Sequence, residues 1–132
     1  MSKQQWVAII DDDDSFRTSL VRIVEFSGFR ARGFSSAEEF LRRPAGPEPT
    51  CIVLDIHLGP GLNGFALQER LESEGWAPPI IFMSGEAEPL PGLAADFLRK
   101  PFAADELIVR LRRHVLGELG ATPPRSDIAE GS

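Results

Sequence analysis

Continuous apolar runs, rather than alternating ones, mark the strands of this chain. The strongest runs cover residues 6–10, 51–54 and 80–83, and two weaker, more polar runs lie at residues 30–34 and 95–99. An uninterrupted apolar strand is typical of a parallel sheet that helices cover on both faces. The polar character of residues 30–34 favours a strand at or near the edge of that sheet.

The segments between the runs carry helical patterns. Apolar residues recur at helical spacing after the first run, in residues 64–74 and in residues 104–116, and Ser35 or Ser36 can cap a short second helix. Residues 85–93 break the alternation, because their prolines and glycines leave room for a loop or at most one helical turn. The order predicts an α/β fold with a doubly wound, five-stranded parallel sheet whose fourth helix is shortened or absent.

Length and composition predict one soluble domain. The chain has 132 residues, a net charge of -6 and one cysteine, Cys51, which lies in an apolar run and is expected to be a buried structural thiol. We expect a domain over residues 1–117 and a flexible tail over residues 118–132, rich in Gly, Pro and Ser. No run approaches the roughly 20 apolar residues of a membrane span. These features favour a cytoplasmic protein without a membrane segment, and the acidic charge disfavours binding of nucleic acid by this chain.

Polar residues stand where the predicted strands end. Asp11 and Asp12 follow the first strand, Asp55 the third, Ser84 the fourth and Lys100 the fifth. The carboxyl ends of parallel strands share one edge of the sheet, so these side chains are expected to converge. Carboxylates about 4 Å apart repel by roughly 4 kcal/mol at an effective dielectric near 20, so the site needs a cation. Oxygen ligands without histidine or thiolate suit Mg²⁺, and Lys100 is the alternative source of positive charge.

Taken together, these residues give the chain a family resemblance. It resembles the receiver domain of two-component response regulators, including FixJ-like and CheY-like receivers, over about residues 6–116. The residues that carry the resemblance are the acidic pair Asp11-Asp12, Asp55, Ser84 and the segment Lys100-Pro101-Phe102.

The resemblance implies a flavodoxin-like receiver fold with a phosphoacceptor and a metal site. Asp55 would accept a phosphoryl group from a sensor histidine kinase or a phosphotransfer protein. Asp12 and Asp55 would bind Mg²⁺ directly, Asp11 would act mainly through a bound water, and the backbone carbonyl of His57 would be a third protein ligand. Such a domain is mainly a signalling phosphoacceptor, with self-catalysed phosphotransfer and autodephosphorylation.

The resemblance also assigns residues to the stabilisation and readout of the phosphoryl group. Ser84 and Lys100 would hold the aspartyl phosphate, and the Lys100-Pro101 bond would be cis. Phe97 lies at the position of the family's aromatic switch, although a core aromatic explains it about equally well, and it lacks a hydroxyl.

Two segments depart from the family pattern. Gly59 and Pro60 precede Gly64, which makes the loop after Asp55 longer by a residue. The separation between Ser84 and the lysine is shorter than usual, and the loss falls at the family's fourth helix. The output surface and the oligomeric state therefore stay open.

Other interpretations compete with this one. Asp13 and Asp14 fit the first turn of a helix, where anions complement the dipole. Asp11 to Asp14 with Ser15 also fit, loosely, a haloacid-dehalogenase-like phosphatase in which Asp11 is the nucleophile and Asp13 the acid/base, although that leaves Asp55 unexplained. A phosphorylation-independent binding module is a third hypothesis. The side chains of His57 and His114 are expected to be exposed and without function.

Overall fold

A computed structural model describes residues 5–85 and 96–117. Its strands are β1 (Val7–Ile10), β2 (Ala31–Phe34), β3 (Cys51–Asp55), β4 (Ile80–Ser84) and β5 (Asp96–Arg99). Its helices are α1 (Asp14–Phe26), α2 (Ala37–Leu41), α3 (Gly64–Ser73) and α4 (Ala104–Val115). All strand pairs are parallel, and the strand order is β2-β1-β3-β4-β5. The predicted doubly wound, five-stranded parallel sheet is thus confirmed.

The burial of each strand follows its place in the sheet. Every residue of β1, β3 and β4 is buried, because these strands have a neighbour on each side and helices on both faces. The edge strands β2 and β5 carry exposed positions. For β2 this agrees with the edge position that the polar run at residues 30–34 predicts. The sheet divides two apolar cores: Val7, Ile9, Val53 and Met83 face α1 and α4, whereas Ile10, Leu54 and Phe82 face α2 and α3.

Three helices begin at a side-chain cap. Asp13, Ser36 and Asn63 cap α1, α2 and α3, and each accepts the backbone N–H three residues farther on, at 3.0, 3.0 and 2.8 Å. Such caps satisfy a donor that the first turn leaves unpaired. The capping interpretation of Asp13 is therefore confirmed, and Asp14 is the first residue of α1.

The last helix is tied to the edge strand by charged groups. Asp96 of β5 accepts one hydrogen bond from Arg110 of α4 at 3.1 Å, and its Oδ2 lies 2.5 Å from Nε2 of His114. The expectation of an exposed His114 is wrong, because the side chain is only about a quarter exposed and pairs with Asp96. His57 is exposed as expected.

Two predictions fall outside the described residues. The shortened or absent fourth helix was predicted at residues 85–93, of which all but Gly85 lie in the undescribed range 86–95, and the flexible tail was predicted at residues 118–132. Among the helices that the structure describes, none has both the length and the apolar character needed to cross a membrane. The Lys100-Pro101 peptide bond is cis, as predicted.

Candidate functional site

The strand register brings the predicted site residues to one edge of the sheet. Asp55 and Ser84 are the last residues of β3 and β4, while Asp11 and Lys100 directly follow β1 and β5. Backbone hydrogen bonds extend the ladder past the strands, since Lys100 N–H donates to Ser84 O at 2.8 Å. Asp11, Asp55 and Ser84 are 0%, 5% and 2% exposed, and they are the buried polar or charged residues among those described.

Lys100 spans the two buried carboxylates. Its Nζ donates to Asp11 Oδ2 at 2.8 Å and to Asp55 Oδ2 at 3.0 Å, and its side chain is 22% exposed. The same Nζ lies 4.3 Å from the centroid of the Phe16 ring, which packs edge-on against Phe102 at 6.0 Å. The ammonium thus contacts both carboxylates and an aromatic face.

Three carboxylates converge closely enough to hold a metal ion. Asp11, Asp12 and Asp55 each offer an oxygen, and these oxygens all lie within 4.8 Å of one another. One ammonium neutralises one of these three charges, which leaves an anionic site. Hard oxygen donors in small number, partly open to solvent through the exposed Asp12, match the preference of Mg²⁺ for a few carboxylates and several waters. The donor set therefore fits the predicted ion.

The environment shifts the ionisation of Asp55 and Lys100. Burial, with a smaller contribution from the Asp11 charge, raises the pKa of Asp55 above its usual value against the lowering by the His57 N–H and Lys100. Burial alone lowers the pKa of Lys100, but its hydrogen bonds to Asp11 and Asp55 outweigh that effect and raise it. Lys100 is thus fully charged at neutral pH, whereas ionisation of Asp55 costs more free energy here than it does in water.

The loop after Asp55 is closed by backbone contacts. His57 N–H donates to Asp55 Oδ1 at 2.9 Å, and Gly64 N–H donates to Ile56 O at 2.9 Å. A Cβ at Gly64 would lie 2.7 Å from Asp55 O, so only glycine permits this approach of α3 to the strand end. Within this loop, Gly59 and Gly61 both have positive φ.

Two residues at the site were not found from the sequence. Arg17 of α1 donates to Asp11 O at 2.8 Å and to Asp14 Oδ1 at 2.6 Å, which fixes the turn that carries the acidic pair. Glu38 of α2 accepts the N–H of Leu62 at 2.8 Å. The pair of Arg17 with Asp14 could have been found from their spacing of three residues, which places both on one face of a helix. The contact of Glu38 with Leu62 has no such local signal, because it joins residues far apart in sequence.

Phe97 lies in β5, paired in register with Phe82 of β4. Its partly buried side chain packs against the apolar core on the α2 and α3 side. The neighbouring Leu98 belongs to the opposite core. This position suits a core aromatic, and the switch role predicted for Phe97 stays a prediction.

A doubly wound parallel sheet whose carboxyl edge gathers carboxylates, a hydroxyl and an ammonium has the architecture of the signal-receiver class of α/β domains. The response regulator receiver domain family matches residues 7–112. The chain therefore belongs to this family, whose members receive the signal in two-component systems.

Individual relatives agree with this membership. Nodulation protein W of Bradyrhizobium diazoefficiens is 36% identical over 108 residues, which cover 77% of this chain and 47% of that protein. Transcriptional regulatory protein FixJ of Azorhizobium caulinodans is 36% identical over 112 residues, which cover 80% of this chain and 53% of that protein. The chain thus spans about half the length of these curated relatives.

Solved structures share the fold. The receiver domain of the Francisella response regulator 1452 superposes with a TM-score of 0.76 at 25% identity, covering 87% of this chain and 98% of that chain. A CheY-like receiver domain from Methanospirillum hungatei gives a TM-score of 0.74 at 23% identity, covering 88% of this chain and 96% of that one. At 23% identity, the similarity to the Methanospirillum hungatei domain is evidence for the fold alone.

Proposed function

We propose that Asp55 is the phosphoacceptor of this receiver and that it takes its phosphoryl group from a phosphohistidine of a sensor histidine kinase or a phosphotransfer protein. The observation that carries the proposal is the placement of Lys100 Nζ, 3.0 Å from Asp55 Oδ2 and 2.8 Å from Asp11 Oδ2. A buried carboxylate beside a partly buried ammonium, at the edge of a sheet, provides both a nucleophile and a charge to receive the incoming phosphate oxygens.

The transfer forms a bond between an Asp55 carboxylate oxygen and phosphorus and breaks the bond between phosphorus and the donor imidazole nitrogen. Lys100 moves its hydrogen bonds from Asp55 towards the phosphoryl oxygens and keeps Asp11 as an anchor. Ser84, buried at the end of β4, donates its hydroxyl to the same group. Loss of the group by hydrolysis restores the free carboxylate.

Asp11, Asp12 and Asp55 are the residues that would hold Mg²⁺, together with the backbone carbonyl of His57. The ion, when bound, supplies positive charge that neutralises the phosphoryl oxygens. Lys100 bonds two of these three carboxylates, so the site keeps an excess of negative charge that favours the uptake of a divalent cation.

The phosphatase alternative gains no support at its acid/base residue. Asp13 caps α1 by accepting the Phe16 N–H at 3.0 Å, which leaves the carboxylate engaged in a structural role. Asp55, which that alternative does not use, belongs to the anionic cluster with Asp11 and Asp12. The binding-module alternative predicts that Asp55→Asn leaves partner regulation unchanged.

The proposal is tested by incubating the protein with Mg²⁺ and acetyl phosphate, or with phosphorylated kinases, followed by mobility-shift electrophoresis and mass spectrometry. We expect one acid-stable, base-labile phosphoryl group on Asp55, lost in Asp55→Asn and retained in Asp105→Asn, a matched change on the exposed first turn of α4. Labelling of Asp11, or of no residue with any donor, would refute it.

A further inference from the structure

Helix α2 contacts the loop that follows Asp55 through one carboxylate. Glu38 Oε2 accepts the N–H of Leu62 at 2.8 Å. The same carboxylate fills the space beside Gly61, since a Cβ added to that glycine would lie 2.6 Å from Oε2 and 3.0 Å from Oε1. The hydrogen bond from the Leu62 N–H is the largest cause of the lowered pKa of Glu38. The Glu38 carboxylate therefore lies against two successive residues of the loop.

The other side of this loop faces the acidic pair. A Cβ on Gly59 would lie 3.1 Å from Asp12 Oδ2, so the loop backbone passes directly beside a candidate metal ligand. His57, two residues earlier, donates its N–H to Asp55 Oδ1 at 2.9 Å. Residues 57–62 are thus held by Asp55 at one end and by Glu38 at the far end, and the middle of the loop passes beside Asp12 without a described hydrogen bond to it.

The length of the loop makes the far contact consequential. Gly59 and Gly61 both have positive φ, at 75° and 95°, and a loop with two such glycines has a large backbone entropy to lose when it is ordered. The close approach of Gly64 to the backbone of Asp55 and Ile56 fixes only the C-terminal end of the loop. Without a contact at Gly61 and Leu62, the middle of the loop would be free to move away from Asp12.

We propose that Glu38 is a positioning residue for the phosphorylation site, which holds the loop of residues 57–62 against Asp12 and thereby sets the affinity of the site for Mg²⁺. This inference rests on the proposed function only for the identity of the cation. Glu38 acts through the loop backbone, by its hydrogen bond with the Leu62 N–H.

The chain offers a matched control on the same helical turn. Glu39 also accepts a backbone N–H, that of Ser35 at 2.6 Å, and the Ser35 hydroxyl at 2.7 Å, but it has no described contact with the loop. Glu38→Ala and Glu39→Ala remove the same charge from the same short helix. A difference between them isolates the loop contact from net charge and from weakening of α2.

The test uses the unphosphorylated protein. We expect Glu38→Ala to weaken Mg²⁺ binding by about tenfold, as loss of a group that orients a metal site does, when affinity is measured by calorimetric titration. Amide exchange at Leu62 should accelerate in the same variant by about tenfold or more, because its N–H loses its acceptor. Glu38→Gln, whose amide oxygen can accept the same bond, should keep a Mg²⁺ affinity and a Leu62 exchange rate close to those of the wild type. Glu39→Ala should match the wild type in both measurements.

With acetyl phosphate as donor, Glu38→Ala should raise the Mg²⁺ concentration for half-maximal labelling and leave the maximal rate nearly unchanged. Unaltered exchange at Leu62, or equal loss of Mg²⁺ affinity in Glu38→Ala and Glu39→Ala, would overturn the inference. A wild-type protein that takes no phosphoryl group would sink the proposed function instead, because Mg²⁺ affinity and amide exchange are measured without phosphorylation.

Discussion

Replacing Asp55 with asparagine should stabilise the metal-free protein. Lys100 Nζ lies 3.0 Å from Asp55 Oδ2, which corresponds to about 5.5 kcal/mol of attraction at an effective dielectric near 20. The buried Asp11 carboxylate, within 4.8 Å, repels by about 3.5 kcal/mol on the same basis, and exposed Asp12 adds about 1 kcal/mol at the dielectric of water. These opposing interactions nearly cancel.

Desolvation therefore decides the sign. A carboxylate that is 5% exposed has lost nearly all of its hydration, which costs several kcal/mol in real proteins. Asparagine avoids that cost but also loses the ion pair with Lys100, so we expect Asp55→Asn to raise the free energy of unfolding by about 1–2 kcal/mol. The exposed Glu69→Gln on α3, with the same change in net charge, should alter it by less than about 0.5 kcal/mol.

The measurement is urea unfolding at pH 7.5 with a chelator present. Mg²⁺ should reverse the order of stability, because a ligand at about 100 times its dissociation constant stabilises the wild type by about 2.7 kcal/mol. The pH dependence follows from the raised pKa of Asp55. The folded protein binds this proton more tightly than the unfolded chain, so the destabilisation is present above the folded-state pKa and disappears as pH falls towards the ordinary value of about 4. A variant less stable than the wild type in chelator, or a difference that grows at low pH, would refute the reasoning.

Three further predictions concern neighbouring residues. Lys100→Met leaves two buried carboxylates unpaired and should lower the free energy of unfolding by about 2–4 kcal/mol in urea, with a smaller loss when Asp55→Asn is also present. Asp13→Ala removes the cap of α1 and should cost about 1 kcal/mol in the same assay while leaving calorimetric Mg²⁺ affinity unchanged. Burial raises the pKa of the Cys51 thiol to about 12, so an aromatic disulfide reagent at pH 8 should modify it only after urea is added; fast reaction of the folded protein would contradict this.

The convergence of the site could be predicted because it follows from local patterns and one rule of topology. Continuous apolar runs identify buried parallel strands, and the residue after each run must lie at the carboxyl edge. Asp11, Asp55, Ser84 and Lys100 are therefore brought together by strand order alone, although Asp11 and Lys100 are 89 residues apart. Asp13 was likewise identifiable as a cap from its place before an apolar helix.

Contacts between elements could not be predicted in the same way. Glu38 and Leu62 are 24 residues apart, and nothing in either segment indicates that α2 lies beside this loop. His114 meets Asp96 because α4 packs across β5, and a lone histidine carries no periodic signal of that approach. Such contacts depend on the angle and distance at which packed elements meet, which apolar periodicity does not determine.

The aromatic face behind Lys100 bears on how fast a phosphoryl group is received. Phe16 and two carboxylates contact the ammonium, so its position is already fixed in the folded, unphosphorylated protein. Ordering a free lysine side chain costs about 1.5–2 kcal/mol in rotamer entropy, and here folding has already met that cost. Under the proposed function, Lys100 then has only its hydrogen bond with Asp55 to exchange for the phosphoryl oxygens, so we expect the donor, rather than ordering of this side chain, to limit the rate of transfer.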